Sequence, residues 1–88
     1  AFSVRISGKV QGVFFRASAK AKADELGING FVRNERNGDV YLEVEGDEDA
    51  VDEFLAWCRI GPQYARVDAC EIKEAAHTGF AGFRIERS

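Results

Sequence analysis

An α+β sandwich of the split β-α-β, ferredoxin-like kind is what this sequence predicts, and three observations predict it. Period-two apolar alternation is twice interrupted by helical spacing, in the order β-α-β-β-α-β with a short strand added at the C-terminal end. An Asn37-Gly38 pair falls between the two central strands, where a hairpin is required. With 88 residues the chain reads as one domain, residues 1–88, whose core suffices only if most residues lie in regular elements. Two β-α units interlocked through the central hairpin put both helices on one face of a mostly antiparallel sheet.

Each element has its own warrant. Phe2, Val4 and Ile6 alternate with Ser3, Arg5 and Ser7, a half-buried strand. From Phe15 the spacing widens, and Phe15, Ala19, Ala23 and Leu26 fall on one helical face, with Gly27 fitting the position after the helix. Phe31-Val32-Arg33-Asn34 leads into the hairpin, and Val40, Leu42 and Val44 alternate with Tyr41, Glu43 and Glu45 on the return. Asp47-Glu48-Asp49 opens a second helix with negative charge at its N-terminus. That helix buries Val51, Phe54, Leu55 and Cys58, and Gly61-Pro62 stops it. In the strand around residues 66–73 the apolar phase slips between Val67/Ala69 and Cys70/Ile72, which predicts a bulge or an edge position. After a turn punctuated by Gly79 and Gly82, Phe83 and Ile85 form a short closing strand.

Composition narrows the function classes. Charged residues at 31% and hydrophobic residues at 45% describe an ordinary soluble globular domain. No apolar run approaches the roughly 18 residues that span a bilayer, and no secretory leader pattern is readable, so a cytoplasmic protein without a membrane partner is expected. Cys58 and Cys70 have no histidine nearby in sequence and read as reduced thiols, not metal ligands. Net charge is −3, but residues 1–36 carry seven Lys/Arg against three Asp/Glu, and residues 37–88 carry five against twelve. The basic part suits a small anion, while the overall acidity argues against a nucleic-acid partner.

The chemistry concentrates in Gly8-Lys9-Val10-Gln11-Gly12-Val13-Phe14-Phe15-Arg16. A strand, a glycine-bearing loop and a helix start is the arrangement that points backbone N–H groups at an anion. Arg16 adds a planar fork of donors that matches phosphate or carboxylate oxygens. The loop lacks the Lys-Ser/Thr pair of a P-loop and the dinucleotide G-x-G-x-x-G pattern. Taken alone, it reads equally well as a glycine-rich turn with a surface arginine.

Residues 8–16 match the acylphosphatase signature G-x-V-Q-G-V-x-F/M-R at every specified position. Gly30-Phe31-Val32-Arg33-Asn34, then Gly38, Val40 and Gly46 at the required intervals, match that family's second signature. The chain thus resembles a free-standing acylphosphatase over essentially its whole length. The resemblance implies hydrolysis of the carboxyl–phosphate bond of acyl phosphates, giving carboxylate and inorganic phosphate, without metal or organic cofactor. It implies Arg16 as the phosphate ligand together with backbone N–H groups of Gln11, Gly12, Val13, Phe14, Phe15 and Arg16. It implies Asn34 as the residue that holds the attacking water. Inorganic phosphate is then expected as product and inhibitor, acting on a monomer.

Particular residues also admit other readings. An acylphosphatase-like domain of a larger carbamoyl-phosphate-processing maturation protein would share the cradle, as would a non-catalytic small-anion module of the same fold. An RNA-binding sheet with Phe31 and Tyr41 as stacking platforms lacks the K/R-G-F-G-F-V-x-F run. Asn34 before a hairpin is common for turn reasons alone. His77 reads as an exposed loop histidine without a role, and Trp57 and Tyr64 as packing around the second helix.

Overall fold

The computed structural model describes residues 1–87. Among them β1 (Phe2–Lys9), α1 (Phe15–Leu26), β2 (Asn29–Asn34), β3 (Val40–Glu45), α2 (Glu48–Cys58), β4 (Arg66–Glu74) and β5 (Phe83–Ile85) follow in that order. They form one five-stranded sheet, β4-β1-β3-β2-β5, in which every neighbouring pair is antiparallel except β2 and β5. Both helices pack on the same face, as the spacing of their apolar residues predicts.

The core lies between the layers. Val4 and Ile6 from β1 face Leu42 and Val40 from β3 across the ladder, and all four are buried. α1 buries Phe15, Ala19 and Ala23, with Leu26 half-buried at the rim. The two alanines let the helix axis approach the sheet closely. Gly27 then takes a left-handed conformation (φ 72°), and the Ile28 N–H returns to the Ala23 carbonyl at 2.9 Å, closing the helix as a Schellman turn. α2 buries Val51, Phe54, Leu55 and Cys58, the face read from the sequence. Phe54 stacks on Trp57 and Phe83 at centroid distances of 5.9 Å each, and Trp57 reaches Phe15 at 5.3 Å. Asp47 caps α2 through backbone geometry alone, since its carboxylate makes no capping hydrogen bond. Burial pushes the thiol of Cys58 upward, and that of Cys70 likewise, which favours the neutral thiol in both.

The phase slip in β4 has the expected cause. Ser7 pairs with Ala69 and Gly8 with Val67, leaving Asp68 as the extra residue of a bulge on an edge strand. The central hairpin differs in detail from a two-residue Asn-Gly turn. Glu35 and Asp39 close it (2.8 Å), Gly38 N–H bonds the Glu35 carbonyl (3.2 Å), and only Gly38 is left-handed (φ 96°). Asn37 instead uses its side-chain oxygen to accept from the Asp39 N–H at 3.0 Å. Gly30 in β2 is required by close approach, because a Cβ there would lie 1.8 Å from the Glu43 carbonyl oxygen.

Alternation places Glu45 outward among polar residues, yet it is only 3% exposed. The segment between β4 and β5 folds over it, and the N–H groups of Thr78, Gly79 and Phe80 donate to its carboxylate. Burial pushes the Glu45 pKa up, but these three donors and nearby His77 outweigh it, and the net direction is down. His77 is exposed, as expected, with Nδ1 3.5 Å from that carboxylate. The same helix-free face carries Phe31 stacked on Tyr41 and Phe80, with the guanidinium groups of Arg33 and Arg84 over the rings.

Candidate active site

β1, β2 and β5 run in the same direction, since β1 and β2 both oppose β3 and β5 parallels β2. Their C-terminal ends therefore come together at one end of the sheet. A cleft of about 560 Å³ opens there, lined by Val10, Gly12, Phe14, Phe15, Arg16, Ala17, Asn34, Ile85 and Arg87.

The loop from β1 into α1 is shaped by two left-handed residues. Gly12 has φ 72°, which glycine adopts freely. Phe14 has φ 62° and ψ 25°, and is the only left-handed non-glycine residue among those described. An aromatic residue pays about 1–2 kcal/mol for that backbone. A left-handed residue followed by the right-handed helix is the backbone form in which successive N–H groups converge on an anion. The first intrahelical bond runs from Ser18 N–H to the Phe14 carbonyl (3.0 Å), so the N–H groups of Phe15, Arg16 and Ala17 precede the helical ladder. The Phe14 side chain, 75% exposed, stands at the mouth of the cleft.

Phe15 anchors this turn. It is buried against Trp57, and Gly61 lies so close that a Cβ there would come within 2.9 Å of its ring. Arg16 follows it into the cleft. Among the described residues no carboxylate pairs with Arg16, whereas Arg5, Arg33, Arg66 and Arg84 are each engaged by one.

Asn34 ends β2 on the same cleft. Its Oδ1 is the one buried side-chain polar atom among the described residues without a hydrogen-bond partner. An orphaned acceptor of this kind is costly unless a function or a water claims it.

Of the residues singled out in the sequence, Gly12, Phe14, Phe15, Arg16 and Asn34 come together in the cleft. Gln11 and Val13 do not line it. Val13 is in the core. Gln11 turns its side chain away, and its Nε2 donates to the carbonyls of Glu35 at 2.7 Å and Asp39 at 2.9 Å. It thereby ties the loop to the hairpin that carries Asn34. Sequence reasoning missed Ile85 and Arg87 as cleft residues, because only the parallel pairing of β5 with β2 brings them there, and no local pattern encodes that pairing.

Comparison with known proteins agrees with this geometry. The acylphosphatase family model matches residues 2–85. The chain is 52% identical over 85 residues to an acylphosphatase of Methylococcus capsulatus, covering 96% of this chain and 92% of that protein. An acylphosphatase structure from Coxiella burnetii superposes with a TM-score of 0.93 at 39% identity, covering 97% of this chain and 90% of that one. The HypF structure from T. kodakarensis also superposes, with a TM-score of 0.87 at 31% identity over all of this chain but 12% of that one. Two signatures, a shared fold and a close relative matched over nearly its full length agree: the chain belongs to the acylphosphatase family.

Proposed function

We propose that this chain hydrolyses acyl phosphates by direct attack of water, with Arg16 and the 11–16 backbone holding the phosphate and Asn34 orienting the water. The observation that carries the reading is one cleft containing an arginine without a carboxylate partner and an asparagine whose Oδ1 is unsatisfied.

The chemistry asks little else of the protein. A carboxylate is a good leaving group, so the main tasks are to neutralise charge on the phosphoryl oxygens and to place the nucleophile in line. Donors fixed in advance on such oxygens are worth roughly 3–4 kcal/mol each. Water accepts a hydrogen bond from the asparagine amide or donates one to Oδ1, and either contact fixes its approach. The water oxygen bonds to phosphorus as the carboxylate departs with the electrons of the old P–O bond. Asparagine is no general base, so the water's proton passes to a phosphoryl oxygen of the substrate. No metal or organic cofactor enters this scheme.

Residues 1–88 act in this reading as one catalytic domain, monomeric and cytoplasmic, with inorganic phosphate a competitive inhibitor because the cradle binds product as well. No helix among the described residues is long and apolar enough to cross a membrane. The test is the loss of benzoyl phosphate in EDTA, which should outpace spontaneous hydrolysis. A rate equal to the uncatalysed one would refute the proposal.

A further inference from the structure

Resting on the acyl phosphate reading, we infer that Arg87 makes this cleft selective for acyl groups that carry a second carboxylate. A phosphate seated at Arg16 leaves the acyl group to exit past the remaining lining. Phe14 and Ile85, two of the few exposed large hydrophobic residues, wall that exit. Arg87 is the second cation of the lining, and among the described residues no carboxylate belongs to that lining.

The fold fixes where Arg87 stands. Glu86 N–H donates to the Val32 carbonyl at 2.8 Å, continuing the parallel pairing of β5 with β2. Residue 87 therefore comes level with the end of β2 that bears Asn34. Arg87 also lines a neighbouring hollow of about 600 Å³, with Arg5, Arg33 and Arg36 against Glu35 and Glu86. Both glutamates are already engaged, Glu35 by Arg5 and Arg33 and Glu86 by Arg33 and Arg84. Among the described residues, positive charge is thus in excess beside Arg87 as well as at Arg16. A guanidinium fork beside apolar walls fits a mixed anhydride of phosphate with a dicarboxylic acid: apolar body on Phe14 and Ile85, far carboxylate on Arg87.

The experiment compares 3- and 4-carboxybenzoyl phosphates with their carbamoyl counterparts, which have the same shape and no acyl charge. The carboxylates should be favoured about three- to fivefold in kcat/KM at low salt, the scale of an exposed ion pair. That preference should fall toward unity in about 0.5 M salt. Arg87→Gln should abolish it and Arg87→Lys should keep part of it. Lys73→Gln, an equal change of net charge at the opposite end of the sheet, should leave it intact. The matching acylphosphonates, titrated calorimetrically, should show the same Arg87-dependent gap in affinity whether or not turnover occurs. Absence of the gap in wild type, or its survival in Arg87→Gln, overturns the inference. Failure to hydrolyse any acyl phosphate while the affinity gap persists would overturn the catalytic reading alone.

Discussion

In the proposed scheme Arg16 and Asn34 act on different partners, and their substitutions should separate. Arg16 is the proposed phosphate ligand before and during reaction, so Arg16→Gln should weaken competitive inhibition by inorganic phosphate and also cut kcat/KM by about a hundredfold or more. Asn34 contacts only the water in this scheme. Asn34→Ala should lower kcat by a similar factor while the phosphate inhibition constant stays within about twofold. Because Oδ1 has no protein partner, urea unfolding of Asn34→Ala should change by no more than about 1 kcal/mol. Full activity in that variant would remove the water-orienting role. Both residues were legible in the sequence because each belongs to a long motif on an element that periodicity also assigns. The left-handed backbone of Phe14 was not, since no aromatic preference announces it; the surrounding turn imposes it.

At the scale of elements, two side chains bind distant segments together. Gln11 fastens the cradle loop to the β2–β3 hairpin through two hydrogen bonds. Gln11→Ala should cost about 1–3 kcal/mol in urea unfolding and should lower kcat more than it weakens phosphate binding, since it loosens the spacing between Arg16 and Asn34. The motif pointed to Gln11, but not to the direction of its side chain. Glu45 latches the segment ahead of β5. Its folded-state pKa lies below the ordinary glutamate value of 4.5, so the stabilisation is complete above that value and drains away as pH falls through the folded pKa. The difference in Tm between wild type and Glu45→Gln should accordingly be largest near neutrality and shrink in acid; a constant difference down to pH 3 would contradict the latch. Strand alternation gave Glu45 as a solvated residue, and its burial depends on a loop more than thirty positions away. The bulge at Asp68, by contrast, was visible as a phase slip, because a bulge changes the local period itself.

At the scale of the whole molecule, three strands of common direction bring the cleft residues to one end of the sheet, and the packing behind that end supports them. Phe15 joins α1 to Trp57 of α2 directly behind Arg16. Phe15→Ala should cost about 3–5 kcal/mol, lowering Tm by well over 10 °C for a domain of this size. Layer order and helix placement were readable because periods of 2 and 3.6 report directly on burial. Strand order was not, since pairing is decided between segments that share no local signal. One consequence of that order concerns synthesis. Residues 11–16 and 34 are synthesised before Ile85 and Arg87, which follow only after β4 and the latch segment. β5 is three residues long, sits on the outside of the sheet, and holds one wall of the cleft. In the proposed scheme, a chain that has emerged only as far as β4 carries the residues assigned to phosphate and water without the wall that encloses them, and the cleft is completed only as β5 docks.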